Sequence, residues 1–502
     1  MKKRLALLLI LCLCLGLLCG CDDPVIGPGP GSESQSPAAQ SPTSAPAAAD
    51  TSPKGAAISL NGDSASFSGG GVSVSGSTVT IASPGEYSVS GTLTDGCIVV
   101  NTGEVKGDVT LTLRGADITN LSGSAIRVDQ VKNFILVLEN GSRNRLVSGR
   151  EGDADDGVKR DGAVLFSEDD VDILGEGSLE ILGYLNNGIT CKDDLDIQGG
   201  ELTVSAVNNG VRGSESVEIS GGTLTVVAGN DGVKATSALK EGKGFVSVSG
   251  GTLNITAGGD GMSAATDLTI IDGEISITTT GADDAASSKG AKAKGVLSVT
   301  GGHVVIDAED HALHSSANLL IGGGTLELGS RSGKGLSAND TMEIRGGSLA
   351  IRSGDDGIHA ENLLTIYDGE LNVLAGADGL KAGTRASGTG TLDIRGGSIH
   401  VSAFGDAIDA KSGAAIYGGS FVGVGTAKTP QGFSGQSSQR ALLFTLSGGA
   451  NTSAQVVSDA SGEVVGTVEA RCGYTYVIYS TESLTGGSYR LVLGTLSASA
   501  QA

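Results

Sequence analysis

Acidic turns recur along this chain: "GNDGVKA" (229–235), "GGDGMSA" (258–264), "GDDGIHA" (354–360), "GADGLKA" (376–382) and "GDAIDA" (405–410). Laid in register, they put Asn187, Asn209, Asp231, Asp260, Asp284, His311, Lys334, Asp356, Asp378 and Asp406 in one column. Asp283, Asp310 and Asp355 stand one residue ahead. Stacked carboxylates are hard oxygen donors of the kind Ca²⁺ takes. Plain turn chemistry competes with that reading, because Asp or Asn before Gly bonds nearby amides and tolerates left-handed backbone. Asn at the first two positions agrees with it. Repulsion argues the other way: unit charges about 4.8 Å apart repel by roughly 1 kcal/mol in bulk water and more at lower dielectric. Asn throughout would avoid that cost. Lys334 and His311 interrupt the column, which would separate a site at Asp356 and Asp378 from one at Asp231 and Asp260.

A second acidic corner follows in "SEDDVDI" (167–173) and "CKDDLDI" (191–197). It makes Asp169, Asp170, Asp193 and Asp194 metal candidates, with an Asx turn before a strand as the equal alternative. Three residues after the acidic turn stand Arg212, Lys234, His359 and Lys381, with His314 near the same column. One reading is solvated surface. The other is a stripe of guanidinium and ammonium donors that, with Ca²⁺, would hold the carboxylates of a uronate polymer. No Ser, Cys or zinc constellation for hydrolysis is present, and no catalytic residue is assigned. A lyase would need a base such as Lys234, Arg212 or Lys381 beside bound calcium.

These residues must be positioned by a repeat. Gly-Gly or Asp-Gly pairs ending at Gly200, Gly222, Gly251, Gly273, Gly302, Gly324, Gly347, Gly369, Gly397 and Gly419 set a period of 22 residues, with three longer gaps. The extra residues read as the excursions "TSALKEGKG" (236–244), "SSKGAKAKG" (287–295) and "GTRASGTG" (383–390). Each unit holds three short alternating runs, for example "GTLTV" (222–226), "GVKA" (232–235) and "FVSVSG" (245–250). Period-two alternation buries one face, here Leu224, Val226, Val233, Ala235, Val246 and Val248. No run can bury that face alone, whereas stacked copies can. Three strands and three turns per unit predict an all-β chain: a right-handed parallel β-helix with regular coils over 171–420. Irregular first coils are expected over 57–170 and a small all-β cap over 421–502, which would cover exposed strand edges. A propeller blade needs about twice the length, and no window sustains a helical period.

The chain has 502 residues, 82 of them glycine, no tryptophan and a formal charge of −23. That balance excludes nucleic acid as a partner, and no Gly-rich nucleotide loop has a strand–loop–helix context. Residues 1–20, with "MKKR" and an apolar stretch ending in "LLCGC", read as a lipoprotein signal peptide. Cys21 would be the lipidated first residue, placing the protein on the extracellular side of a bacterial membrane. Residues 21–56, rich in Pro, Ser and Ala, read as a disordered spacer. Cys97, Cys191 and Cys472 form no disulfide or metal spacing. Aromatic platforms are scarce; Tyr184, Tyr367, Phe404 and Tyr417 are the candidates, Tyr184 being kept among the binding residues.

Over nearly the whole mature chain the sequence resembles the bacterial secreted family of carbohydrate-binding domain-containing proteins. The resemblance rests on "YSVSGTLTDGCIVV" (87–100), the segment 164–211 with its paired acids, the repeated acidic turns, and "SSQRALLFTLSGG" (437–449). It implies a pectate-lyase-like β-helix, calcium binding, and affinity for plant cell-wall polysaccharide, either cellulose or acidic pectin-like chains. Glu168-Asp169-Asp170, where a Lys usually precedes the paired acids, and Lys334 in the acidic column depart from the family pattern. The expected function is a lipid-anchored surface protein binding polysaccharide through a calcium-loaded β-helix. The alternatives are a Ca²⁺-dependent polysaccharide lyase and a calcium-stiffened scaffold or adhesin without glycan affinity.

Overall fold

The computed structural model describes residues 54–153, 162–281, 287–384 and 388–502. The expected leader, Cys21 and the spacer up to residue 53 lie outside the described residues, as do Asp283 and Asp284.

Among the described residues every regular element is a β-strand. A typical coil runs through a long strand, Thr223–Ala228, a short middle strand, Val233–Ala235, and a third strand, Phe245–Val248. Each strand pairs in parallel with its counterpart one coil further on: Leu224 faces Leu253, Val233 faces Met262 and Val246 faces Leu268. The result is a parallel β-solenoid. Its middle strands stack into one fifteen-stranded sheet among the described residues, while the other two faces merge into a second, larger sheet.

The residues whose alternation marked them as inward are all at most 2% exposed. Each buried Val, Leu or Ile contributes about 1.5–3 kcal/mol, and only the stacked neighbours make that burial available. Two kinds of glycine shape the coil. Gly251, in the turn before the long strand, has φ +88° and leaves its virtual Cβ 2.9 Å from the Gly222 carbonyl oxygen. Gly232, after the acidic residue, has no left-handed backbone. A Cβ there would lie 2.3 Å from Ile255 Cγ2. The Asp-Gly corner therefore needs glycine for close approach of layers, which differs from the turn reasoning that the sequence suggested.

The excursion at 236–244 falls between Ala235 and Phe245 as expected. The next one does not fall where the sequence placed it. "AKA" at Ala291–Ala293 is itself a middle strand, with both alanines fully buried, so the extra residues precede the corner. Lys289, rather than Asp284, consequently occupies the corner column.

Lys54–Gly62 pairs with Gly85–Leu93 and Ala65–Gly69, so the first strand takes in residues 54–56 that composition gave to the spacer. At the other end the solenoid runs through Ser420–Gly425. That strand pairs antiparallel with Tyr474–Thr481, which also carries Ala441–Gly448. A four-stranded antiparallel sheet completes this end.

Candidate functional site

The corner column is a hydrogen-bonded ladder. Asn187 Oδ1 accepts from the Asn209 amide (3.0 Å), Asn209 Oδ1 from Asp231 (3.3 Å), Asp231 Oδ1 from Asp260 (2.8 Å) and Asp260 Oδ1 from Lys289 (3.0 Å). Further along, His311 Nδ1 accepts from Lys334 (2.9 Å), Asp356 Oδ1 from Asp378 (3.2 Å) and Asp378 Oδ1 from Asp406 (2.9 Å). Each side chain thus satisfies a backbone donor that the corner would otherwise bury unpaired. At the last position Tyr476 takes over: its hydroxyl accepts from the Ala407 amide (2.7 Å) and lies 3.4 Å from Asp406 Oδ1.

With one carboxylate oxygen committed to an amide, the other meets an ammonium. Asp231 Oδ2 lies 2.5 Å from Lys234 Nζ, Asp260 Oδ2 3.3 Å from Lys292, Asp356 Oδ2 3.2 Å from Lys334 and Asp378 Oδ2 2.8 Å from Lys381. Lys289 pairs with Asp310, and Lys334 also with Asp355. Asp231, Asp260 and Asp356 are at most 5% exposed, where an uncompensated charge would be costly. Burial works to raise the Asp378 carboxyl, and Lys381 with the Asp406 amide outweighs it and holds the group low. Asp406 pairs with no ammonium among the described residues. Burial, then Asp378 and Asp409, pushes it up to about 6. Burial, with Lys289 and the neighbouring histidine or lysine, pushes His311 and His314 down to about 4.

The second corner is also internally satisfied. Asp169 Oδ2 accepts from the Val131 amide (2.8 Å), Asp170 Oδ1 from the Asp194 amide (3.2 Å) and Asp194 Oδ1 from the Ser216 hydroxyl (2.7 Å). The 236–244 excursion folds over it. Lys243 reaches Asp194 (2.6 Å) and Glu215 (3.0 Å), while Lys240 contacts Glu215 and lies 3.9 Å from Asp193. Among the described residues no three His, Cys, Asp or Glu side chains converge on a metal position. Asp231, Asp260, Asp356 and Asp378 thus each engage both an amide and an ammonium group.

The middle-strand face carries the basic residues. Register along the sheet places Arg127, Phe166, Thr190, Arg212, Lys234, Ser263, Lys292, His314, Ser337, His359, Lys381 and Asp409 in one outward column. Lys234 and Lys381 lean back onto the acidic ladder. Arg212 makes no ion pair among the described residues. His359 is 6% exposed and its Nε2 has no hydrogen-bond partner among them, so it is closed to an incoming polymer. Tyr184 lies outside this column, at the end of the long strand Ser178–Gly183, where its amide bonds Ser148. Tyr367 and Tyr417 stack with Arg345 and Arg395 at a different corner.

Around Ser263 the column dips. A groove of about 400 Å³ is lined by Lys234, Lys292, Lys294, Ser263 and Ser287, with Asp231 and Asp260 along one edge. Sequence reasoning missed Lys289, Lys292 and Lys294 because it took residues 287–295 for a loop. The signal was there, since "GAKA" at 290–293 repeats the pattern of "GVKA".

A family profile described as "Carbohydrate-binding domain-containing protein" matches residues 75–332 and 315–466. A relative from Acetivibrio thermocellus with the same description is 35% identical over 127 residues, 25% of this chain. The match covers 44% of that relative, so this chain spans less than half the length of the curated relative it matches. A solved structure described as the polysaccharide lyase-like protein from C. thermocellum, a gadolinium derivative, is 32% identical. The alignment covers 49% of this chain and 96% of that one, with a TM-score of 0.44.

Proposed function

The chain belongs to the family of carbohydrate-binding domain-containing proteins, and from that premise we propose that it binds an acidic, uronate-bearing polysaccharide along the middle-strand face. The observation that carries this reading is the groove over Ser263, with three lysines around a small polar floor. An ammonium has three donors. Lys234 and Lys292 each give one to the ladder, which leaves donors for a ligand carboxylate, and Lys294 makes no ion pair among the described residues. Strands about 4.8 Å apart repeat the outward position at roughly the length of one sugar unit, which suits a linear chain lying along the axis.

Calcium belongs to this proposal at the end of the ladder. Asp378 and Asp409 stand 2.8 and 4.0 Å from Lys381, Lys411 also pairs with Asp409, and Asp406 pairs with neither lysine, so the three carboxylates outnumber the two ammonium groups. A cation bound at this end would bridge protein and ligand carboxylates, which a chain of charge −23 would otherwise repel. Attachment through Cys21, with the solenoid displayed outside the cell, completes the reading; its support is the leader sequence.

The test is calorimetry of the whole chain with hexagalacturonate, with and without CaCl₂, while ultraviolet absorbance follows unsaturated product. Saturable binding without product is expected. Lys234→Gln with Lys292→Gln should weaken it by about tenfold or more, since charged hydrogen bonds contribute about 1.5–3 kcal/mol each. Affinity untouched by the double substitution would remove the groove from the reading. Product formation would make the protein a lyase, and calcium uptake without any glycan response would leave a stiffened scaffold.

A further inference from the structure

The middle-strand face holds a second groove, of about 670 Å³, nearer the start of the solenoid. Its chemistry differs from that of the lysine groove. Phe166, on the strand Ala163–Ser167, stands outward between Arg127 and Thr190 in register. It is half-buried. Among the described residues it is the one phenyl or phenol ring in the outward column. Arg127 Nε is bonded to Asp129 Oδ1 at 2.5 Å, and Glu168 lies on the same rim. The opposite wall is the turn Asn120–Ser124. It is braced by its own asparagine, whose Nδ2 donates to the Ser124 carbonyl (2.8 Å) while Oδ1 accepts from the Ser122 amide (3.0 Å). Among the described residues no lysine lines this groove.

Among the described residues the one guanidinium here already serves a carboxylate and a second carboxylate stands beside it, which offers a polyanion little. A ring floor with convergent carboxylate, guanidinium and hydroxyl groups is the composition that fixes a ligand with an apolar face and a polar edge. A neutral pyranose is such a ligand: its C–H face can lie on the ring while its hydroxyls meet Asp129, Arg127 and Glu168. We propose that this groove is a neutral-sugar subsite. The face as a whole would then read a heteroglycan, neutral units at Phe166 and uronate units at the lysines. The two positions are four strands apart, or about 19 Å at the usual strand spacing, which a single linear chain of a few sugars spans. This inference rests on the reading of the middle-strand face as the glycan-binding face, and it fixes which residue answers to which sugar.

The experiment titrates the whole chain separately with cellohexaose, a neutral probe, and hexagalacturonate, an acidic one. It compares wild type with Phe166→Ala, Phe166→Tyr and the Lys234→Gln/Lys292→Gln pair. Phe166→Ala should weaken cellohexaose about tenfold, the scale of one lost ring contact, and leave hexagalacturonate unchanged. Phe166→Tyr, which keeps the ring, should restore cellohexaose affinity, and the lysine pair should show the reverse selectivity. Thermal melting of each variant reports folding independently of binding. Cellohexaose that fails to bind the wild type, or binds equally well to Phe166→Ala, would overturn the proposal. Phe166-dependent binding of cellohexaose with no binding of hexagalacturonate would uphold this subsite and sink the acidic reading alone.

Discussion

At the residue scale, the acidic column serves the backbone first and charge second. Asp231→Asn keeps the oxygen that accepts the Asp260 amide and loses only the Lys234 pair, so its cost in denaturant unfolding should stay within about 1 kcal/mol. Asp231→Ala strands that amide in a corner where Asp260 is 3% exposed, and should cost about 1–3 kcal/mol. Acid titration gives two slopes of opposite sign. His311 and His314 resist protonation in the fold, from an ordinary value of 6.5 down to about 4. The unfolded chain therefore takes up protons first, and stability falls as pH drops through that window. Replacing them as His311→Asn and His314→Gln should flatten that loss. Asp406 behaves the other way: the fold holds its proton up to about 6, against 3.8 unfolded, so stability declines as pH rises between those values. Asp406→Asn should remove that decline, about 1 kcal/mol after discounting for solvent screening. The acids were legible in the sequence because their spacing repeats. Their partners were not, because an amide one coil away and a lysine on the next strand become neighbours only once the stacking register is known.

At the element scale, the coil was readable from its glycine pairs and inward alternation, and the residues so marked are buried. What the pattern left undecided was the side of the corner on which extra residues enter. Both halves of the interval between Gly273 and Gly302 are polar and glycine-bearing, and only the burial of Ala291 and Ala293 distinguishes strand from loop. Phe166 escaped notice for a related reason, since it lies in an irregular early coil where outward and inward could not be assigned. Close layer packing makes a sharp prediction at the corner. Gly232→Ala would push a methyl against Ile255 and the Gly261 carbonyl, 2.3 and 2.6 Å from the added carbon. It should cost about 1–3 kcal/mol by overpacking, read as a shift in the denaturation midpoint, even though the backbone there tolerates alanine.

At the scale of the whole molecule, each coil touches chiefly its neighbours, so stability is distributed along an axis. Damage at one end should remain there. Tyr476→Phe removes the partner of the buried Ala407 amide. Hydrogen exchange should then show loosened amides in the last coils and unchanged protection around Val79–Val128. The same tyrosine has a consequence for how long the solenoid is. Each Asn and Asp of the ladder up to Asp378 offers an oxygen to the coil that follows it, so the stack resembles a growing polymer with a reactive tip. Tyr476 supplies the end group: it occupies both the acceptor and the donor position that another coil would have used, and growth stops at a defined degree of polymerisation.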